Sequence, residues 1–155
     1  MSILEYCTSV WSPHLKHKIQ SIDSVQKNYT KHVCTGICCN IHFSSYLDRL
    51  YKLNLKSLEY RRLEFDLIST YKICCQLKDI NFHAFFTCAK SGYNLRRRTF
   101  LLRCKYKPKH ALYCNFYTHR IISVWNLLPK LIVIASSLDI FKKQLKKFDL
   151  HMICN

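Results

Sequence analysis

Two glycines and three prolines in 155 residues leave this chain almost without the residues that make tight turns. A barrel or sandwich of many short strands draws on glycine for positive φ and on proline for a preset bend, repeatedly along its length. A mainly α fold is therefore expected, a small helical domain with one exception, a basic extended arm or loose hairpin around 93–107. With 49% of its residues hydrophobic, the chain has material for one core, and residues 1–155 are read as a single helical domain.

Helical spacing supports this along most of the sequence. From Leu15 to Val33, the residues Ile19, Ile22, Gln26, Tyr29 and Val33 recur on one side, Lys27 and Lys31 share another, and Gly36 offers an end. Ser44 or Ser45 caps a short helix bearing Tyr46, Leu47, Leu50 and Tyr51. Ser57 caps the longest periodic run, about 57–77, whose inward stripe is Tyr60, Leu63, Leu67, Tyr71 and Cys74, while Arg61, Arg62, Glu64 and Lys72 are assigned to other faces. About 112–128 reads as a further helix with Phe116, Ile121 or Ile122, Trp125 and Leu128 inward and Pro129 closing it. Trp125 is assigned to the core, and Asn126 to a hydrogen bond in the turn before Pro129. Leu131 to Ala135 reads as a short strand or an extended buried link. Ser137 caps a last helix with Leu138, Phe141, Leu145 and Phe148 on one side and Lys142, Lys143, Lys146 and Lys147 on the other.

Charge narrows the partner. Twenty-five Lys and Arg against nine Asp and Glu give a formal charge of +16, a self-repulsion that an anionic partner relieves. Between Asp79 and Asp139 there is no acidic residue, while ten Lys and Arg fall in that interval. Its densest part is Arg96, Arg97 and Arg98 followed by Arg103, Lys105 and Lys107, with Tyr93, Phe100 and Tyr106 interleaved. Guanidinium groups pair with phosphates while aromatic rings stack on unpaired bases, a combination suited to RNA or single-stranded DNA. The competing reading is a solvated charged loop whose aromatics are buried elsewhere. An anionic membrane surface is the second partner class. No span is expected, because the longest apolar stretch, Leu131 to Ala135, is far below the roughly 20 residues a bilayer requires.

Ten cysteines do not make this a secreted disulfide scaffold, since no basic leader followed by an apolar run opens the sequence and the apolar content is high. An intracellular, reducing setting, cytoplasmic or nuclear, is expected. Cys34, Cys38, Cys39 and His42 form the one tight Cys/His group, but zinc sites pair two matched C-x2-4-C halves, so no metal and no cofactor are expected. Nothing orders the eight histidines into a triad, and with Gly36 and Gly92 alone there is no Gly-rich phosphate loop. No catalytic residue is assigned.

Leu4 to Pro13 (LEYCTSVWSP) and Ile22 to Lys31 (IDSVQKNYTK) are followed in order by Ser45-Tyr46-Leu47-Asp48-Arg49-Leu50, Ser57-Leu58-Glu59-Tyr60-Arg61-Arg62-Leu63, Asp66-Leu67-Ile68, Asn94-Leu95-Arg96, His119-Arg120 and Trp125-Asn126-Leu127-Leu128-Pro129. This succession resembles the C-terminal region of jockey-like non-LTR (LINE-type) retrotransposon reverse transcriptases, over nearly the whole chain. Tyr117 departs from it, standing where that family tends to have Phe. The resemblance implies a parent RNA-directed DNA polymerase whose palm holds two metal ions on an Asp-Asp pair in a YxDD-type turn. No two of the nine acids here are adjacent, so no polymerase chemistry is expected from the chain by itself.

On this reading the chain is a fragment of a larger polyprotein, without the palm and endonuclease, acting at most as a basic RNA or DNA-binding appendage whose natural neighbour is the reverse transcriptase core. The alternatives are a structural or interaction module with no independent activity, and a basic peripheral membrane binder.

Overall fold

The computed structural model describes residues 7–37, 45–88, 101–106, 110–148 and 150. It is mainly helical. Helices α1 (Lys16–Ile37), α2 (Tyr46–Lys52) and α3 (Leu58–Cys74) are followed by a short α4 (Phe82–Phe85), strands β1 (Phe86–Cys88) and β2 (Leu102–Cys104), then α5 (Ala111–Cys114), α6 (Tyr117–Leu127), α7 (Lys130–Val133) and α8 (Leu138–Lys147). The chain divides into two compact units, Met1–Arg62 and Leu63–Asn155.

Gln26 organises the first unit. Its Nε2 donates to the Lys56 carbonyl at 3.0 Å, while its Oε1 accepts from the Tyr46 hydroxyl at 2.8 Å and from the Leu58 N–H at 3.2 Å. One buried amide thus ties α1 to α2 and to the first turn of α3, satisfying polar groups that burial would otherwise leave costly. The Tyr46 ring carries Lys27 Nζ at 5.3 Å and the Arg49 guanidinium at 5.8 Å.

Tyr29, expected inward, is 63% exposed, and Thr30 and Cys34 take the buried places instead. Both sets satisfy a 3.6-residue period. The line chosen is the one where α2 approaches, and there a small Thr30 fits, its Oγ1 lying 3.5 Å from Arg49 Nε. Arg62, expected on an outer face, is buried at 4% exposure with its guanidinium 3.8 Å from the Asp23 carboxylate, a charge partner that spacing along one helix does not reveal.

Helix ends show how a glycine-poor chain stops. Past α2, Asn54 takes a φ of 50°, and past α3, Gln76 takes a φ of 54°. Each closes a paired terminal motif: Leu55 N–H reaches Leu50 O and Leu77 N–H reaches Lys72 O, both at 2.8 Å. Asparagine is suited to the left-handed region by its short polar side chain, whereas the longer glutamine adopts it less readily. At the start of α3, Ser57 Oγ accepts from the Tyr60 N–H at 3.2 Å, and at α8 Ser137 Oγ accepts from Ile140 at 3.3 Å, the two caps expected.

In the second unit the core is drawn from α3 (Leu67, Tyr71, Ile73), the strands (Phe86, Leu102), α6 (Tyr117, Ile121, Trp125), α7 (Ile132) and α8 (Phe141, Leu145). Phe141 is its centre: Tyr71 stacks on it with centroids 4.3 Å apart and Trp125 at 6.1 Å. Its packing explains the amphipathic α8, whose Lys143, Lys146 and Lys147 face solvent while Phe141 and Leu145 are fully buried.

Three expectations are corrected here. The helix read over 112–128 is broken into α5 and α6, with Phe116, 48% exposed, at the break. Leu131 to Ala135 is neither strand nor extended link; α7 covers most of it, exposing Leu131 at 72% and burying Ile132. Pro129 permits this because, just ahead of the first helical residue, its missing N–H is no loss. Finally, Asn126 does not serve the turn before Pro129: its Oδ1 accepts from Leu102 N–H at 2.9 Å and its Nδ2 donates to Leu102 O at 3.0 Å.

Candidate nucleic-acid interface

Of the extended arm or loose hairpin expected around 93–107, the described residues 101–106 contain β2, which pairs antiparallel with β1, a strand outside that range, with Phe86 opposite Cys104, Thr87 opposite Arg103 and Cys88 opposite Leu102. Two strands alone are marginal in water, so their placement depends on what they pack against. Leu102 is buried, and the Asn126 side chain pairs with its backbone as a third strand would, fixing β2 on α6. Strand alternation then turns Arg103 outward, and Lys105 and Tyr106 follow it into solvent, Tyr106 at 67% exposure.

Lys105 Nζ stands 5.3 Å from the centre of the Tyr106 ring. A cation and an aromatic face are therefore presented side by side on the strand's exit, the pairing needed to hold a phosphate and stack a base. Of the site residues read from the sequence, the structure brings together these three, Arg103, Lys105 and Tyr106. Tyr93, Arg96, Arg97, Arg98, Phe100 and Lys107 lie outside the described residues.

Arg120, within the acid-free interval, is not a surface cation of that kind. Its Nη2 and Nε contact Asp66 Oδ2 at 2.8 and 3.1 Å, and the Asp66 side chain is 4% exposed. Next to this pair, the Tyr117 hydroxyl lies 2.7 Å from Thr70 Oγ1 and donates to the Asp66 carbonyl at 3.3 Å. The Tyr117 hydroxyl, on a side chain only 6% exposed, is thus satisfied within the core. Sequence reasoning missed this network, because Asp66 lies among other charged residues on α3 and nothing local pairs it with Arg120 on α6.

A cavity of about 380 Å³ opens in the same unit, lined by Tyr71, Cys74, Cys75, Phe82, Cys88 and Trp125 among others. Burial, reinforced by the neighbouring Cys75 and Cys88, pushes the Cys74 thiol from its ordinary 9.0 up to about 12. Burial first, and then the Cys75 thiol beside it, raises the Tyr71 phenol from 10.0 to about 12, and burial likewise raises Tyr117. Cys74 and Tyr71 are therefore neutral at physiological pH. Among the described residues no group of three or more His, Cys, Asp and Glu side chains is placed to hold a metal ion. Cys38, Cys39 and His42 lie outside the described residues, and Cys34 is a buried free thiol.

The shifts carry a sign. Each of these acids has a folded pKa above its unfolded value, so its contribution is complete below the unfolded value and is lost as pH rises through the folded one. Stability of the second unit is expected to hold up to about pH 9 and then fall steadily toward about pH 12, with Cys74 titrating first in the unfolded chain. Melting midpoints under reducing conditions across that range test this; a midpoint level through pH 11 contradicts it.

No helix among the described residues is long and apolar enough to cross a membrane. No protein-family model, no curated protein and no solved structure matches this chain.

Proposed function

We propose that the chain corresponds to the segment following the polymerase core of a jockey-like non-LTR retrotransposon reverse transcriptase, and that it binds single-stranded RNA or DNA without polymerase chemistry of its own. The observation that carries the binding is the exit of β2, where Arg103, Lys105 and Tyr106 stand exposed at one edge of a hairpin held to the core. Support for the ancestry is the ordered run of motifs from LEYCTSVWSP to WNLLP. Arg96, Arg97 and Arg98 precede β2 in the sequence and add three cations to the same basic interval.

Affinity for an unstructured RNA is expected to fall with salt by roughly 0.7 per phosphate contact on logarithmic axes. Replacing Arg96, Arg97 and Arg98 by Ser should flatten that slope by up to about two units, with little dependence on base identity. Tyr106→Ala should weaken binding by about 1–3 kcal/mol at unchanged slope if a base stacks there. The comparison that decides is with a variant altered at Lys142, Lys143, Lys146 and Lys147. Equal losses from the two sets would mean diffuse attraction and would end the claim of a defined site.

Purified chain should not extend a primer on an RNA template with magnesium or manganese, because two-metal phosphoryl transfer needs converging carboxylates. Template-dependent extension in a clean preparation would overturn that part of the proposal. An interaction module is the second reading, favoured by the exposed apolar Leu127 (65%) and Leu131 (72%). Salt-insensitive self-association with no RNA binding would select it.

A further inference from the structure

We propose that Cys104 and His119 form a reactive thiol–imidazole pair whose substrate is a small hydroperoxide, making Cys104 a site of oxidation to sulfenic acid. Sγ of Cys104 lies 3.3 Å from Nε2 of His119 and 3.6 Å from Oγ1 of Thr118. The two partners come from different elements, the end of β2 and the first turn of α6, so their meeting is a product of the packing that fixes the hairpin on α6. Nothing in the RNA-binding reading requires it.

A cysteine becomes a useful nucleophile when a base within hydrogen-bond reach takes its proton and positive charge surrounds the developing thiolate. The base is in place, since the His119 imidazole is in reach; Arg103 and Lys105, next to Cys104 in the chain, are exposed cations that alternate to the other side of the strand. Cys104 and His119 are half-buried, so the sulfur is only partly accessible, which favours a small substrate over a bulky electrophile. Beside the sulfur, Thr118 Oγ1 lies 3.6 Å away and accepts from the thiol, which helps fix the side chain against α6.

The step balances without another reagent. His119 Nε2 takes the thiol proton, the sulfur attacks the near oxygen of the hydroperoxide, and an S–O bond forms as the O–O bond breaks. The electron pair leaves on the far oxygen, which recovers the proton from the imidazolium as water or an alcohol. Sulfur is oxidised to the sulfenic acid and the peroxide is reduced by two electrons.

The other thiols provide internal references. Cys7, Cys75, Cys88 and Cys114 are exposed and free. The full chain, reduced and then treated with hydrogen peroxide in the presence of dimedone, is followed by residue-resolved mass spectrometry. The adduct is expected to form at Cys104 about tenfold or more faster than at those four exposed thiols, and His119→Gln is expected to remove that excess while leaving the other rates unchanged. Labelling at Cys104 no faster than at the exposed thiols of the unaltered protein overturns the proposal, however the variant folds. A His119→Gln protein in which Cys104 keeps its lead overturns the role of the imidazole.

Discussion

Trp125→Ala is expected to destabilise the second unit by about 3–5 kcal/mol, the usual consequence of truncating a buried large aromatic. The ring is 2% exposed on α6 and stacks on Phe141 of α8, which in turn stacks on Tyr71 of α3. Removing it takes one ring out of a three-ring stack that joins three helices, and α3 and α6, held together by the Arg120–Asp66 pair, have little freedom to collapse into the gap. At roughly 4–8 °C per kcal/mol for a unit of this size, the melting midpoint should drop by well over 10 °C. Near-ultraviolet circular dichroism during thermal melting measures it; a midpoint unmoved by the substitution would put the ring outside the core. Trp125→Phe should recover part of the loss, since it keeps a ring against Phe141.

Arg120→Met is the second large effect, expected to cost about 3–5 kcal/mol by leaving the buried Asp66 carboxylate without its guanidinium. Asp66 is the more buried partner, at 4% side-chain exposure against 23% for Arg120, so the loss should come mainly from the stranded carboxylate. It follows that the double replacement Asp66→Leu with Arg120→Met should be less damaging than Arg120→Met alone, because an apolar pair needs no charge compensation. Urea unfolding of the two single variants and the double variant closes the cycle. Additive losses would show that the two groups do not depend on one another, against the 2.8 Å contact between them.

Those two expectations differ in how far the sequence reveals them. Trp125 is assigned to the core from its spacing with Ile121 and Leu128, and the structure places it there. The Asp66–Arg120 pair joins residues 54 apart along the chain, and no local pattern joins them. The candidate interface divides in the same way. The acid-free interval and its interleaved aromatics are legible as residues, whereas the outward turn of Arg103, the position of Lys105 over Tyr106 and the approach of His119 to Cys104 all depend on β2 being held to α6.

What the amino-acid order determined by itself is the helical character, the caps at Ser57 and Ser137, and the amphipathic α8, because each depends on residues within one or two turns of one another. Glycine and proline scarcity acts in the same local way, excluding architectures rich in tight turns. Tertiary structure alone decided which of two equally periodic lines on α1 faces inward, giving Thr30 the buried place and Tyr29 the solvent. It also decided that Arg62 and Asp66 lie buried, and that Asn126 completes a strand and not a turn. The physical reason is common to all three: a periodic stripe specifies how side chains repeat around an axis, but a buried polar group is stable only beside a partner, and that partner comes from wherever the fold brings another segment.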